Sequence, residues 1–303
     1  MRDSDLISKK VRVAVGIATS GRREVLAKAI EILSRQTCLP DLLVICPITT
    51  DDVDYEALRR FPAPSRVVAG PIGLPAQRNE LLRAAAESDV IAFFDDDFFA
   101  EANYLEILKS IFVANPDVVG ITGDLIVDGA LGPGLSMSEG VEILESQKRW
   151  QGDVNLVDCY GTYGCNMAFK VGVVRSNSIS FDEKLPLYGW QEDIDFSRRL
   201  ARYGRVVRSK ELRGVHLGVK SGRTSGVRLG YSQIANLVYL THKGSVPRNQ
   251  AVTMIWRNMA ANLLRAFYPE PWIDRKGRLK GNMIALIDWS IGRLSPLRIL
   301  QLK

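Results

Sequence analysis

The sequence predicts an α/β protein with a doubly wound, mostly parallel sheet and a C-terminal helical appendage. Through residues 11–114, short β-branched runs alternate with helical patterns, which is the rhythm of parallel strands joined by helices. The run at 90–94 is apolar on both faces, as a strand covered by helices on both sides requires. With 303 residues, 46% of them hydrophobic and 24% charged, the chain suits one large domain plus an appendage.

Periodicity and turn residues predict the elements in order along the chain. Strands are expected at 11–18, 41–47, 66–69 and 90–94, each followed by a helix, at 22–35, 53–60, 74–87 and 101–114. A strand at 118–124 comes next, and the glycines of 129–134 predict a mobile loop. The second half has a predicted strand at 165–170, a helix at 192–203, and strands at 205–208 and 212–217. From Pro247 onward we expect one or two helices, broken near Pro269 and Pro271.

Charge and cysteine content narrow the class of protein. The net charge is +6, but residues 243–303 hold 11 Lys and Arg against 3 acids, whereas residues 1–242 are slightly acidic. Four cysteines without C-x-x-C spacing indicate reduced thiols, because zinc sites and disulfide frameworks need other patterns. The sequence has no apolar run of about 18 residues and no visible secretion signal, so we expect a protein that stays on the cytoplasmic side.

Three consecutive acids, Asp95, Asp96 and Asp97, directly follow the apolar run at 90–94. Ligands of doubly wound folds gather at the carboxyl ends of strands, where carboxylates can hold divalent cations and ribose hydroxyls. A solvated turn, or a charge cluster at a helix start, would explain an isolated triplet equally well. The position after a buried type of strand favours the functional interpretation.

A second acidic group opens the helix predicted at 192–203. Glu192, Asp193 and Asp195 fall in its first turn, where the helix dipole favours acids in any case. The aromatic approach, Tyr188-Gly-Trp190, needs another explanation, and it is typical of a sugar-stacking wall beside a carboxylate general base.

Five motifs occur in one order across about residues 11–220. They are Ala18-Thr-Ser-Gly-Arg22, Gly73-Leu-Pro-Ala-Gln-Arg-Asn79, Asp95-Asp-Asp97, Gly164-Cys-Asn-Met-Ala-Phe169 and Trp190-Gln-Glu-Asp193. In this order and spacing the chain resembles the family 2 glycosyltransferases, which have the nucleotide-diphospho-sugar transferase fold, also called fold type A. The resemblance implies an inverting enzyme that moves a sugar from a nucleotide diphosphate donor to an acceptor hydroxyl, with Mn²⁺ or Mg²⁺ as cofactor.

On the donor side, the resemblance implies contacts to the nucleotide and its diphosphate. The residues that match the first loop and the helix start over base and ribose are Thr19, Arg22, Arg78 and Asn79. Lys220 and Arg223 would clamp the diphosphate and close over it, although surface solvation explains them equally well. Relatives carry a base-reading acid after the second strand, whereas this strand ends in proline, with Asp51 or Asp52 as substitutes. A UDP-sugar donor is therefore expected only from the resemblance to the family, and not from a base-reading residue in this sequence.

The resemblance also assigns the acids and the histidine. Asp95 and Asp96 would contact ribose, and Asp97 would bind the metal ion that bridges the diphosphate. Such a cation neutralises the charge that develops on the departing nucleoside diphosphate. His216 would complete the metal site, and a hydrogen-bonded structural histidine is the alternative.

On the acceptor side, Asp193 matches the family's catalytic base, which removes the proton of the attacking hydroxyl. Glu192 would hold hydroxyls of the acceptor or the donor sugar, and Tyr188 and Trp190 would contact the acceptor. One displacement with one base implies inversion at the anomeric carbon.

The resemblance divides the chain into a catalytic domain at 1–242, with a donor half at about 11–125 and an acceptor half at about 126–242. A basic amphipathic helical region at 243–303 follows, and we expect it to dock on the anionic inner face of the cell membrane. Packing on the catalytic domain or a homodimer contact is the alternative. By family habit, the acceptor is a bacterial surface polysaccharide or a lipid-linked oligosaccharide.

Two other functions explain the sequence less well. A sugar nucleotidyltransferase of similar fold needs a glycine-rich loop for a triphosphate, and Thr19-Ser-Gly-Arg22 has too few glycines. A non-catalytic membrane-surface or nucleic-acid-binding protein would leave the acidic groups unexplained. The tail also lacks the interleaved aromatic and basic residues of a nucleic-acid platform, so no nucleic-acid partner is expected.

Overall fold

The computed structural model describes residues 11–148, 152–222 and 224–302. Its sheet runs in the order β3-β2-β1-β4-β8-β6-β9-β5, and β7 pairs with β9 beside this path. The strands are β1 Val13–Thr19, β2 Leu42–Pro47, β3 Ser65–Val67, β4 Val90–Asp95, β5 Phe98–Ala100, β6 Val118–Asp128, β7 Leu156–Asp158, β8 Asn166–Lys170 and β9 Arg205–His216.

Helices cover both faces of the sheet and form the C-terminal region. They are α1 Arg23–Leu33, α2 Tyr55–Arg59, α3 Leu74–Ala84, α4 Tyr104–Ala114, α5 Met137–Ser146, α6 Val171–Ser176, α7 Glu192–Leu200, α8 Gly226–Lys243, α9 Arg248–Arg265 and α10 Arg275–Ser290. Short 3₁₀ segments lie at Thr50–Asp52, Gly129–Leu131 and Pro296–Gln301.

The predicted doubly wound α/β fold is confirmed. Strands β3, β2, β1 and β4 are parallel, β8 runs antiparallel between β4 and β6, and β6 is parallel to β9. Alternate residues of β1 face opposite sides, since successive side chains of a strand point to opposite faces. Val15 packs in the core formed with α1 and α4, whereas Ala14 packs in the core formed with α3 and α7.

The register of β1 and β4 places the first and third motifs side by side. Ala18 pairs with Asp95 at the carboxyl ends of these parallel strands. Thr19 and the three acids 95–97 therefore lie at one edge of the sheet, where ligands of such folds bind. Strand β9 ends at His216, and its pairing with Phe98 of β5 brings the histidine to the same edge.

The second half differs from the sequence prediction in several elements. The predicted mobile loop begins as a 3₁₀ turn packed so closely that a Cβ on Gly129 would lie 2.0 Å from the Leu217 carbonyl oxygen. The strands predicted at 205–208 and 212–217 are one strand, β9, whose pairing with β6 carries register shifts. Strands β5 and β7 and helices α5, α6 and α8 were not predicted.

Helices α8, α9 and α10 pack around a core cluster of their own, which includes Tyr231, Leu237 and Ile255. Leu185, from the segment before α7, is buried in the same cluster, and Trp190 packs against it. The predicted break near the two prolines is confirmed, because α9 ends at Arg265 and α10 begins at Arg275. Within the described residues, no helix combines the length and apolarity that crossing a membrane would require.

Candidate active site

The loop after β1 is fastened to the second acid of the triplet. The Thr19 hydroxyl donates to Asp96 Oδ2 at 2.7 Å, and the Arg22 guanidinium donates to Asp96 Oδ1 at 2.9 Å. Arg22 also donates to the carbonyl oxygens of Val219, at 3.1 Å, and Ser221, at 2.8 Å. Arg22 thus joins the acidic triplet to the segment that follows β9.

Asp95, Asp97 and His216 form a candidate metal centre. One ligand atom from each can be chosen so that the three lie within 4.8 Å of one another. His216 Nε2 is 3.3 Å from Asp97 Oδ1, and the other ring nitrogen, Nδ1, is 2.8 Å from Asp128 Oδ1. Two carboxylates and an imidazole held by a third carboxylate fit a divalent cation such as Mn²⁺.

Burial and charge shift the pKa values of this group. Burial raises the pKa of Asp96 to about 6, although Arg22 works in the opposite direction. For Asp97 burial is outweighed, and contacts with His216 and Arg22 hold its pKa below the usual value. Burial would lower the pKa of His216, but hydrogen bonds to Asp128 and Asp97 raise it to about 10. These contacts favour the positively charged form of the imidazole, whose charge balances the acids around it.

Arg78, on α3, connects the metal centre to the second acidic group. Its buried guanidinium donates to Asp95 Oδ1 at 3.2 Å and to the Gly164 carbonyl oxygen at 2.7 Å, and it also pairs with Glu192 Oε1. Glu192 Oε2 is buried and lacks a hydrogen-bond partner within the described part of the chain. Burial, with the charges of Asp193 and Asp95, raises the pKa of Glu192 to about 8 despite Arg78. An unsatisfied buried oxygen of this kind is suited to a ligand hydroxyl.

Asp193 is held by backbone donors at the start of α7. Its Oδ2 accepts from the Gly164 backbone N–H at 3.0 Å, and its Oδ1 accepts from the Ile194 backbone N–H at 2.8 Å. Burial raises the pKa of Asp193, although Arg78 and these N–H groups oppose the rise. A carboxylate with a raised pKa and a fixed orientation has the properties of a general base.

The segment before α7 is tightly wound. Leu187, Gly189 and Gln191 all have positive φ, which is uncommon for residues with a Cβ. A Cβ on Gly189 would lie 2.7 Å from Pro75 of α3, so only glycine fits this approach. Such strain persists where the surroundings enforce it, and it is frequent at functional sites. The winding leaves Tyr188 exposed beside the buried Glu192.

The structure brings most of the predicted site residues together and places others elsewhere. Asn79 binds the backbone of Phe181 and the Glu183 carboxylate, and so supports the loop before α7. Lys220 donates to the carbonyl oxygens of Gly129 and Ala130. Arg223 lies outside the described residues.

Two further predicted positions also have structural contacts. Trp190 packs with the C-terminal helices, and its carbonyl oxygen accepts from Asn236 at 2.8 Å. Both oxygens of Asp52 accept backbone N–H groups, from Gly21 at 2.7 Å and Thr49 at 2.8 Å. Asp51 is exposed in the same 3₁₀ segment.

Sequence reasoning missed Asp128 and Tyr163. Asp128 ends β6 and touches His216, and the Tyr163 hydroxyl donates to Asp128 Oδ2 at 3.1 Å. The Tyr163 ring meets the His216 ring edge to face, with centroids 6.1 Å apart. An acid at a strand's end and an aromatic before Gly164 were the available signals, but only the folded sheet brings them to the histidine.

No protein-family model matches the chain, and no curated protein does. Solved structures do match it. A mannosyltransferase from Pyrobaculum calidifontis, solved with GDP-Man and Mn²⁺, is 14% identical, with 97% of this chain and 86% of that chain covered at a TM-score of 0.55. GalNAc-T7, solved with UDP, GalNAc and Mn²⁺, is 12% identical, with 94% and 57% covered at a TM-score of 0.58.

TarS of S. aureus is the third of these structures. It is 13% identical at a TM-score of 0.51, with 86% of this chain covered, and this chain spans only 44% of the TarS length. Residues 1–349 of TarS were also solved with UDP-GlcNAc. At these identities the likeness shows the fold, which is the fold type A expected from the sequence. The chain therefore has the fold of glycosyltransferases that use nucleotide sugars.

Proposed function

We propose that this protein is a metal-dependent, inverting glycosyltransferase that moves a sugar from a nucleotide diphosphate donor, UDP by preference, to an acceptor hydroxyl. The observation that carries the proposal is the position of Arg78, whose guanidinium contacts both Asp95 and Glu192. Arg78 thus joins the acids that could bind a metal ion, at 95–97, to the acids that could include a general base, at 192–193. These two groups are far apart in the sequence but lie in one site. The fold shared with nucleotide-sugar transferases supports the same function.

On the donor side, Asp97 and His216, with Asp95, would hold a divalent cation. When bound, that cation would neutralise the diphosphate and so assist its departure. Arg22 holds the segment 217–222 against the acidic triplet, and Lys220 on this segment is placed near the same edge. Thr19 and Asp96 would line the part of the site that contacts the nucleotide.

On the acceptor side, Asp193 would take the proton of the acceptor hydroxyl. The hydroxyl oxygen forms its bond to the anomeric carbon while the bond from that carbon to the phosphate oxygen breaks, and the nucleoside diphosphate leaves. Because attack and departure occur on opposite faces, the anomeric configuration inverts. Glu192 Oε2, which has no hydrogen-bond partner within the described residues, would accept a hydrogen bond from a sugar hydroxyl. The exposed ring of Tyr188 would stack on the acceptor sugar.

We further propose that the acceptor is a surface polysaccharide or a lipid-linked oligosaccharide, assembled at the cytoplasmic face of a membrane. The basic C-terminal region supports this choice, since residues 243–303 carry 11 Lys and Arg against 3 acids. These helices pack directly against the segment that carries Trp190, on the acceptor side of the site.

The test is a panel of nucleotide sugars incubated with the enzyme and Mn²⁺, with release of nucleoside diphosphate as the readout. Asp97→Asn and EDTA should each remove most turnover, whereas Asp124→Asn, on β6 and paired with Arg208, should keep it. The product's anomeric configuration, read by NMR, should be inverted. Full activity in EDTA or a retained configuration would refute the mechanism. Formation of a nucleoside triphosphate and a sugar 1-phosphate when pyrophosphate is added to the nucleotide sugar would identify a nucleotidyltransferase.

A further inference from the structure

Helix α9 presents an apolar stripe to solvent. Its buried side faces α8 and α10 through Ala251, Ile255 and Asn262. The adjoining side, about 100° around the helix, carries Val252, Trp256 and Leu263, all of them at least half exposed. Helices on the surface of a soluble protein normally turn a polar side outward. The exposed apolar stripe of α9 is therefore a candidate binding surface.

The stripe continues into the turn between α9 and α10. Leu264 is 72% exposed, Phe267 75% and Tyr268 90%, and Trp272 follows after two prolines. Four large apolar or aromatic side chains thus project within nine residues of chain. A patch of this composition marks a binding surface in a native protein.

The charges around this turn that have no acidic partner among the described residues are positive. Arg257, Lys276 and Lys280 are exposed, and within the described residues none has a carboxylate partner within 4 Å. Glu270, in contrast, is occupied by Arg265 and Arg275.

The two other acids of the region are also engaged. Asp274 caps α10 through the Gly277 N–H at 2.7 Å, and Asp288 accepts from the Tyr231 hydroxyl at 2.9 Å. Each acid of the region thus has a partner within the fold, whereas Arg257, Lys276 and Lys280 have no carboxylate partner among the described residues.

We propose that the α9 stripe and the α9–α10 turn form a docking surface for an anionic lipid bilayer. Aromatic and aliphatic side chains flanked by Lys and Arg are the composition that the interface of such a bilayer favours. A second copy of this chain fits less well, because each copy would bring the same uncompensated positive charge to the contact. The surface stands on its own observations, and only its link to a lipid-linked acceptor rests on the proposed function.

Docking at this surface would orient the acceptor side of the site. Asn236 of α8 binds the Trp190 carbonyl oxygen, while Lys243 and Ser245 bind the buried Asp195 of α7. The helical region and the start of α7 are therefore joined by polar contacts as well as by the shared core. A membrane bound to the α9–α10 turn would therefore keep α7, the helix that carries Asp193, in a fixed position and orientation relative to lipid-anchored acceptors.

The experiment is flotation of the whole protein with vesicles of neutral phosphatidylcholine or of phosphatidylcholine with anionic phosphatidylglycerol, without donor or metal. The turn variant is Leu264→Ser, Phe267→Ser and Tyr268→Ser together. Its matched control replaces three exposed residues of the catalytic part, Tyr55→Ser, Val113→Ser and Tyr203→Ser. Circular dichroism and thermal melting establish that each variant folds.

A charge variant, Arg257→Glu, Lys276→Glu and Lys280→Glu, is compared with Arg66→Glu, Lys184→Glu and Lys210→Glu, which change the net charge equally. The wild type should partition to anionic vesicles at least about tenfold better than to neutral ones, and salt should weaken binding. The turn and charge variants should lose about tenfold or more of this binding, and both controls should keep it.

Equal binding to neutral and anionic vesicles, or unchanged binding of the turn variant, would overturn the proposal. So would a wild-type dimer that ignores vesicles and becomes a monomer in the turn variant, since that assigns the surface to self-association. Because no sugar transfer is measured, these outcomes are independent of the proposed enzymatic activity.

Discussion

Asp128 is the sharpest test of the candidate metal centre. Its Oδ1 faces His216 Nδ1 at 2.8 Å and also accepts the Ala130 N–H at 3.0 Å, while Oδ2 accepts the Tyr163 hydroxyl. Asp128→Asn preserves shape but removes the negative charge that makes the imidazole a good ligand. Loss of such a supporting carboxylate costs about 10–100-fold in metal affinity, or about 1.4–2.7 kcal/mol.

The loss can be measured as a thermal shift. If wild-type protein is held at about 100 times its Kd for Mn²⁺, the metal stabilises it by about 2.7 kcal/mol, and the Asn variant by about 0.4–1.4 kcal/mol. At about 2–4 °C per kcal/mol, the Mn²⁺-induced rise in Tm should fall from about 5–11 °C to about 1–6 °C. Each protein is compared with itself in EDTA, so an intrinsic loss of stability cancels.

The control is Asp124→Asn, which lies on the same strand and pairs with Arg208 away from the histidine. It should leave the Mn²⁺-induced shift unchanged. An Asp128→Asn variant with a wild-type shift, and a calorimetric Kd within twofold of wild type, would refute the assignment of His216 as a ligand.

Three further predictions concern the acidic pair on α7. Asp193→Asn should lower kcat by about 10²–10⁴-fold and leave the KM for donor unchanged, since the base contacts the acceptor proton; steady-state kinetics with intact transfer would contradict this. Burial raises the pKa of Asp193, so kcat/KM should be full above that pKa and be lost as pH falls through it. An acid limb at about pH 4 or below, the range of an ordinary carboxyl, would contradict a base whose pKa is raised by burial. Arg78→Met should lower the free energy of unfolding, measured with urea at pH 9, by about 3–5 kcal/mol. The reason is that the buried Glu192 carboxylate loses the guanidinium that pairs with it. A variant as stable as wild type would contradict the buried pair.

The first half of the fold could be predicted because its signals are local. Strands β1, β2 and β4 are continuous apolar runs, and the helices α1, α3 and α4 have their own periodicity, so neighbours in sequence determine both. The acids at 95–97 could be placed at a sheet edge for the same reason. Their metal-binding role in this chain stays a proposal.

Helix α8 could not be predicted because its glycines are required by close contacts with α10, which is distant in the sequence. Gly226 and Gly230 suggest turns when they are read locally, yet a Cβ on Gly230 would lie 2.0 Å from the Arg278 carbonyl oxygen of α10. Gly281 of α10 is as close to the Val227 carbonyl oxygen of α8. The glycines permit two helix backbones to touch, and sequence windows along one helix carry no information about the other.

The same limit applies to the site. Asp128 and His216 are 88 positions apart, and the register shifts between β6 and β9 are what bring them together. Asn79 shows a related limit, since its motif suggests a ligand contact, which stays a prediction, but gives no sign that the side chain holds the loop at Phe181. Motif order locates a site well, but the contacts of each side chain depend on the sheet.

The fastening of α7 to α8 has a consequence for engineering. Asp195 is completely buried and is satisfied by Lys243 and Ser245, residues at the boundary that the sequence places between catalytic and C-terminal regions. A chimera joined at 242/243 would take these partners from another protein and leave a buried carboxylate without them. A graft meant to change acceptor choice should therefore take Asp195, Lys243 and Ser245 from one protein. The candidate metal ligands Asp95, Asp97 and His216 should likewise come from one protein, although His216 lies between the two ends of such a graft.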